Sequence, residues 1–156
     1  MTQLDPTYVE LLQQARGLLG DEHHRIANAA NLSALIYNAL PDINWAGFYF
    51  LEGETLIVGP FQGQPACVRI EIGKGVCGTA AATQTTQRVE DVHAFEGHIA
   101  CDPASRSEIV VPLVIDGHLI GVLDIDSPKP NRFDEADQLG MEALAAAYID
   151  SIGATT

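Results

Sequence analysis

The feature that most constrains the fold is a pair of long apolar segments that meet at Asp116-Gly117. The segments run from Ser107 to Ile115 and from His118 to Ser127. Because an Asp-Gly pair between two such runs is a strong hairpin signal, we predict two adjacent antiparallel strands here. We interpret the loop as three residues, 115–117, with Gly117 in the left-handed conformation. This register pairs Val114 with His118.

Helices are predicted on either side of this hairpin, and further strands precede it. Asp5-Pro6 has the pattern of a helix N-cap followed by proline at the first helical position, and Gly20 is expected to end that helix. A second helix is predicted over 21–40 and a closing helix from Asp134 to about 152. The other predicted elements are strands over 44–51, 55–58, 67–72 and 87–90 and a helix over 76–83. This order predicts an α+β fold in which helices flank a central, mostly antiparallel β-sheet.

The chain is strongly acidic. Its 156 residues suit a single domain, 1–156, and carry a formal net charge of −13 at pH 7. Nucleic acids and anionic membrane surfaces are disfavoured as partners because binding to them relies on basic side chains. The sequence has neither a secretory apolar segment nor a run long enough to span a bilayer, so we expect a cytoplasmic protein. A homodimer formed through the helices is compatible with this composition.

Acidic residues interrupt the second strand of the predicted hairpin. Asp124 and Asp126 are two positions apart, so both side chains leave the same face of the sheet. The three-residue loop places Glu108 opposite Asp124 on that face, whereas a two-residue loop would place it on the other face. Three neighbouring carboxylates repel one another, which raises the pKa of at least one of them and suits it to general acid catalysis. Alternatively, the aspartates form a solvated strand end, or the cluster holds a hard cation.

The chain has three cysteines, an odd number that does not make a secreted disulfide framework. Cys101 lies in the longest irregular segment of the sequence, and reactive groups concentrate on such loops. Cys77 lies near the start of a predicted helix, whose dipole would stabilise a thiolate, and Cys67 begins a predicted strand. For both, packing in the core is the more common role. A zinc site of His93, His98 and Cys101 is disfavoured because no fourth ligand is evident at a suitable spacing.

Two aromatic residues, Trp45 and Tyr49, lie four positions apart on one face of a predicted strand. Such a pair more often belongs to the core than to a ligand pocket. If the same face also meets the carboxylates, the two rings could wall a slot for an apolar group such as a methyl.

Longer motifs extend from the second predicted helix to the last. They are Ile43-Asn44-Trp45-Ala46-Gly47-Phe48-Tyr49, Gly59-Pro60-Phe61-Gln62-Gly63, Gly75-Val76-Cys77-Gly78-Thr79-Ala80, Asp91-Val92-His93-Ala94-Phe95, Gly97-His98-Ile99-Ala100-Cys101-Asp102, Ser107-Glu108-Ile109-Val110-Val111-Pro112-Leu113 and Gly121-Val122-Leu123-Asp124-Ile125-Asp126-Ser127. Successive cysteines are spaced by 10 and by 24 residues. In these motifs and this spacing the chain resembles the free methionine-(R)-sulfoxide reductases, which are single GAF-domain proteins.

The resemblance implies a fold, an activity and a set of site residues. It implies a GAF-like sheet and the thiol-dependent reduction of free methionine-(R)-sulfoxide, with Cys101 as the nucleophile and either Cys67 or Cys77 as the resolving thiol. It also implies thioredoxin, itself reduced at the expense of NADPH, as the external reductant, and no metal or organic cofactor. The implied substrate contacts are Glu108, Asp124 and Asp126 around the sulfoxide and ammonium, and Trp45 and Tyr49 around the methyl.

Two other functions fit parts of the sequence. GAF domains commonly serve as ligand-binding sensor modules without chemistry, in which case the cysteines would be packing or redox-sensing residues. A metal-dependent hydrolase would use the histidines and carboxylates instead.

Overall fold

The computed structural model describes residues 3–98 and 103–153. The first helix, α1 (Pro6–Leu19), begins and ends where the sequence predicts. The Asp5 carboxylate accepts a hydrogen bond from the Thr7 backbone N–H at 2.9 Å, and Gly20 follows with a φ of +50°. Helix α2 (Arg25–Ala39) begins later than predicted, because His24 is its N-cap and the residues before it form a turn.

The remaining helices lie on opposite sides of the sheet. Helix α3 (Gly75–Thr83) follows a glycine-rich turn, and helix α4 (Glu135–Gly153) closes the chain. At the start of α4 the Asp134 and Asp137 side chains each accept the other's backbone N–H at 2.9 Å, so the predicted cap is reciprocal. A single turn of 3-10 helix, Val92–Ala94, lies in the long segment before the hairpin. None of the described helices is long and apolar enough to cross a membrane.

Six antiparallel strands form one sheet in the order β3-β2-β1-β6-β5-β4. The strands are β1 (Trp45–Glu52), β2 (Thr55–Gly63), β3 (Arg69–Glu71), β4 (Gln87–Val89), β5 (Ser107–Ile115) and β6 (His118–Ser127). The predicted α+β class is therefore confirmed. Strand β2 is longer than predicted because it continues through Pro60, which falls where the pairing with β1 is irregular and no regular ladder bond is required. Cys67 precedes β3 rather than beginning it.

The sheet has an apolar cluster on each face. Ala46 and Phe48 of β1 belong to the larger cluster, which packs against α1, α2 and α4. Trp45 and Tyr49 of the same strand belong to the smaller cluster, together with residues of α3. This division confirms the predicted alternation along β1. The larger cluster stabilises the sheet, and the smaller one surrounds the polar groups described below.

The hairpin register differs from the predicted one. Ile115 pairs with His118, so the loop has two residues, Asp116 and Gly117, with φ values of +50° and +79°. The predicted pair of Val114 with His118 is wrong. A two-residue loop alone would have moved Glu108 to the opposite face of the sheet.

A bulge in β6 restores the face. Leu113 pairs with Gly121 but Val114 pairs with Leu119, which leaves Ile120 as an extra residue. Beyond the bulge, Glu108 pairs with Asp126, whereas the prediction had placed it opposite Asp124. The one-residue shift in the loop and the one-residue bulge add up to a two-residue change of register, which keeps the three carboxylates on one face because side chains alternate with a period of two.

Candidate active site

The three carboxylates lie at the centre of the sheet, on the face covered by α3. Asp124 and Asp126 of β6 pair with Gly47 and Trp45 of β1 on one side, and Asp126 pairs with Glu108 of β5 on the other. Glu108 is 8% exposed and Asp124 is 4% exposed, while Asp126 is half-buried, so the two aspartates do not form the exposed strand end considered as an alternative. Carboxyl groups buried this deeply require a partner, a proton or a bound cation.

Helix α3 brings a thiol to these carboxylates. The Cys77 thiol donates to Asp124 Oδ2 at 3.4 Å and to Glu108 Oε2 at 3.9 Å. Two glycines allow this approach: Gly75 starts the helix with a φ of +64°, and a Cβ on Gly78 would lie 2.5 Å from the Glu71 carbonyl oxygen. The Gly75-Val76-Cys77-Gly78 motif therefore holds the thiol against the acidic face.

The electrostatics of this cluster favour bound protons. Burial, followed by the negative charge of Asp124, raises the pKa of Glu108 well above its usual value. Burial and the charge of Asp126 raise the pKa of Asp124, and burial together with both carboxylates raises the pKa of the Cys77 thiol. None of the three ion pairs among the described residues reaches these groups. The cluster can therefore hold and donate protons near neutral pH.

Asp124 Oδ1 is buried and has no hydrogen-bond partner among the described residues. A buried acceptor left in this state is unfavourable, so the atom is available to a proton or a cationic ligand.

The rings of Trp45 and Tyr49 form the adjoining wall of the same cavity. The ring centroids of Trp45 and Tyr49 are 5.8 Å apart, and those of Trp45 and Phe61 are 5.1 Å apart, both in stacked geometry. Burial, followed by the charge of Asp124, raises the pKa of Tyr49 above its usual value, so its phenol stays protonated. Phe61 stacks on Trp45 and is not among the residues that line the cavity. Its contribution was not predicted because the predicted second strand ended before it, although Phe61 lies in one of the motifs that carry the family resemblance.

The cavity unites most of the predicted site residues. Its lining comprises Trp45, Tyr49, Pro65, Ala66, Ile70, Lys74, Gly75, Val76, Cys77, His98, Ser105, Glu108, Asp124 and Asp126. Its volume of about 50 Å³ has room for a few waters. His98 was considered only as a zinc ligand in the sequence analysis, yet it lines this cavity, and burial lowers its pKa.

The three predicted cysteines differ in environment. Cys77 is a free thiol and is buried. Cys67 is half-buried and disulfide-bonded, in the loop that follows β2. The Trp45 indole N–H donates to the Gln64 carbonyl oxygen at 3.1 Å and so ties the start of this loop to the aromatic wall. Cys101, the predicted nucleophile, lies outside the described residues.

The fold and this cavity define the class of the protein. Residues 4–148 match the family model of the GAF domain. A free methionine-R-sulfoxide reductase of Escherichia coli is 54% identical over 149 residues, which are 96% of this chain and 90% of that protein. By this relationship the chain belongs to the free methionine-R-sulfoxide reductase family.

Solved structures of the family agree with the fold. The reductase of Staphylococcus aureus in complex with substrate has a TM-score of 0.90 and 54% identity, and the match covers 97% of this chain and 99% of that one. The reductase of Neisseria meningitidis in complex with its substrate has a TM-score of 0.92 and 43% identity, and the match covers 99% of this chain and 95% of that one.

Proposed function

We propose that this protein reduces free methionine-(R)-sulfoxide to methionine. The observation that carries the proposal is the buried cluster of proton-holding groups, Glu108, Asp124 and Cys77, beside an aromatic wall. Sulfoxide reduction consumes protons, which the buried carboxyl and thiol groups can supply. The product thioether is apolar, so it can pack against the aromatic wall. Family members that are named as reductases and solved with substrate support the same assignment.

In the proposed mechanism the Cys101 thiolate attacks the sulfoxide sulfur. Glu108 or Asp124 donates a proton to the sulfoxide oxygen. The resulting hydroxyl group is then transferred from the substrate sulfur to the cysteine sulfur. Methionine leaves as the reduced thioether, and Cys101 is oxidised to a sulfenic acid. The raised pKa of both carboxyl groups keeps a proton available for this step at neutral pH.

The same carboxylates contribute to substrate selection. Once one of them has lost its proton, its negative charge favours the ammonium group that a free amino acid carries and a peptide-bound residue lacks. Trp45 and Tyr49 offer an apolar surface to the methyl group. Glu108, Asp124 and Asp126 therefore act both on the sulfoxide oxygen and on the ammonium.

Cys67 is the first resolving thiol in this proposal. Its thiol condenses with the Cys101 sulfenic acid to give a disulfide and water. Cys77 is less suited because burial and two carboxylates disfavour its thiolate, which is the nucleophilic form. Cys67 is half-buried and is already engaged in a disulfide.

Thioredoxin is the proposed external reductant. Its dithiol exchanges with the disulfide and returns the protein to the reduced state, at the expense of NADPH. The reaction needs no metal or organic cofactor. A reducing cytoplasm is the proposed location, because it maintains both the thioredoxin pool and the thiols of this chain.

A coupled assay tests the proposed activity. The purified protein is mixed with thioredoxin, its reductase, NADPH and each epimer of free methionine sulfoxide. We expect NADPH to be consumed with the R epimer alone, Cys101→Ser to abolish consumption, and chelators to leave it unchanged. Asp116→Asn, in the hairpin turn far along β6 from the cavity, serves as the control with unchanged rate. Equal rates with both epimers, or full activity of Cys101→Ser, would contradict the proposal.

A further inference from the structure

We propose that Cys77, Glu108 and Asp124 form a binding site for Zn²⁺, and that zinc and the sulfoxide substrate exclude each other from this cavity. Binding of the cation is independent of the proposed reductase activity. The mutual exclusion rests on that proposed function, since it requires the substrate to use the same carboxylates.

The ligand atoms have the spacing of a tetrahedral zinc site. Zinc binds thiolate sulfur at about 2.3 Å and carboxylate oxygen at about 2.1 Å, so at the tetrahedral angle the sulfur and oxygen lie about 3.6 Å apart. Cys77 Sγ lies 3.4 Å from Asp124 Oδ2 and 3.9 Å from Glu108 Oε2, on either side of that value. All three ligand atoms lie within 4.8 Å of one another. A single cation can therefore contact all three with small side-chain movements, and a water can complete the tetrahedron.

A second observation points to a cationic ligand. Asp124 is 4% exposed and lines the cavity, yet its Oδ1 atom has no hydrogen-bond partner among the described residues. A buried carboxylate with one oxygen lacking a donor is stabilised when a cation binds to the carboxylate group. The combined negative charge of two carboxylates and one thiolate is larger than the positive charge of a divalent ion. Binding of the ion therefore leaves no excess of positive charge in the site.

The ligand set favours zinc over harder cations. Mg²⁺ and Ca²⁺ take oxygen ligands and six or more positions, whereas a sulfur ligand and a small number of buried ligands suit Zn²⁺. The other titratable groups that line the cavity are Tyr49, Lys74, His98 and Asp126. Lys74 is exposed, so its charge is screened by solvent.

Zinc binding must release protons. In the metal-free protein the Cys77 thiol is protonated and donates hydrogen bonds to the carboxylates. Coordination of zinc requires the thiolate instead. The balanced step takes up one Zn²⁺ and releases the thiol proton together with any proton held by Glu108 or Asp124. The affinity should therefore rise with pH.

A variant with one thiol isolates this site. Cys67→Ser combined with Cys101→Ser leaves Cys77 as the only cysteine of the chain. After removal of metal by a chelator and in the absence of thiol reductants, Zn²⁺ is titrated calorimetrically in two buffers of different ionisation heat. We expect one ion per chain with release of at least one proton. Titration with Cd²⁺ should produce the ultraviolet absorption band of a cadmium thiolate.

Two further substitutions in this background decide the outcome. Adding Cys77→Ser should abolish the cadmium band and weaken Zn²⁺ by more than the roughly 10–100-fold that loss of an outer-shell partner costs. Adding Asp124→Asn should weaken Zn²⁺ while the thiol remains, and Asp116→Asn is the matched control without effect. Absence of zinc binding, or binding that is unchanged by Cys77→Ser in a folded variant, overturns the site.

Competition separates this inference from the proposed function. The single-thiol variant lacks the nucleophile, so methionine-(R)-sulfoxide can bind without turnover. Saturating sulfoxide should weaken the apparent affinity for Zn²⁺ at least tenfold. If sulfoxide binds and leaves zinc affinity unchanged, mutual exclusion is overturned. If sulfoxide does not bind at all, the proposed function fails while the zinc titration still decides the metal site.

Discussion

Asp124 combines requirements that few residues meet. It is buried between two neighbouring strands, it accepts a hydrogen bond from the Cys77 thiol, and one of its oxygens has no donor among the described residues. Such a carboxyl is unfavourable for stability, and proteins retain arrangements of this kind mainly at functional sites. The same carboxyl group can take a proton, a substrate ammonium or a zinc ion, which is why the two proposals concern one cavity.

The two accessory cysteines should differ in their effect on turnover. Cys67→Ser should lower thioredoxin-dependent turnover by at least about 100-fold, because the sulfenic acid at Cys101 then lacks its resolving thiol. One equivalent of methionine should still form in a single turnover without reductant. Cys77→Ser should keep turnover within about tenfold of the parent, since a hydroxyl can still donate to the carboxylates.

Steady-state NADPH consumption measures thioredoxin-dependent turnover, and methionine release in a single turnover measures the reduction step alone. Equal loss of turnover in both variants would instead show that the buried thiol takes part in resolution.

At the level of elements, the hairpin depends on a close contact between strands. The bulge in β6 lies next to Gly121, where a Cβ would be 2.1 Å from the Tyr49 carbonyl oxygen and 3.0 Å from the Phe50 Cα. Both neighbours are backbone atoms in a central strand and cannot move aside easily. The glycine therefore allows β1 and β6 to approach where the register changes, and this register sets the face of Glu108.

Gly121→Ala should destabilise the protein by about 1–3 kcal/mol, because the methyl group forces the two strands apart. Gly17→Ala is the matched control. Gly17 is exposed within α1, and a methyl group there would meet no atom within 4 Å beyond its own helix backbone, so alanine should stabilise the helix by about 0.5–1 kcal/mol. Urea denaturation of both variants measures the free energy of unfolding. A neutral effect of Gly121→Ala would show that the strands can separate without cost.

At the level of the whole molecule, the two faces of the sheet have different roles. One face packs three helices over the larger apolar cluster, and the other faces α3 and the acidic cavity. The stability supplied by the first face offsets the cost of burying carboxyl groups on the second. Because those groups keep their protons only in the folded state, global stability should depend on pH.

The free energy of unfolding should fall as the pH rises from about 5 to about 8. Glu108 and Asp124 have raised pKa values in the folded protein, against ordinary values of 4.5 and 3.8. In this window the folded state binds more protons than the unfolded state. The stabilisation that comes from protonated Glu108 and Asp124 is therefore complete at pH values below their ordinary pKa values. It is lost as the pH approaches the raised ones, by up to about 1.4 kcal/mol per pH unit for each proton.

Asp124→Asn should flatten this dependence. The amide does not titrate, and Glu108 loses the negative neighbour that helps to raise its pKa. Urea denaturation at constant ionic strength across the window gives the slope for the parent, for Asp124→Asn and for Asp116→Asn. The free energy of unfolding of Asp116→Asn should change with pH by the same slope as that of the parent. A parent slope of zero or of opposite sign would contradict the assignment of protons to the buried carboxyls.

Local patterns were enough to predict most elements. The Asp5-Pro6 cap, the alternation along β1 and the Asp-Gly hairpin each depend on a few neighbouring residues, so each could be read from the sequence. The family resemblance added the cysteine roles, which spacing alone could not assign. What the sequence did not predict was the bulge at Ile120, because a bulge depends on contacts with a neighbouring strand rather than on its own residues.

The sequence by itself determined the class of fold, the acidic character and the list of reactive side chains, because these follow from local propensity and composition. The tertiary structure decided which of them meet. It moved Glu108 opposite Asp126, placed the Cys77 thiol 3.4 Å from Asp124 and stacked Phe61 on Trp45. Those outcomes depend on strand register and on how closely α3 packs on the sheet, and both are set by contacts between residues far apart in the chain.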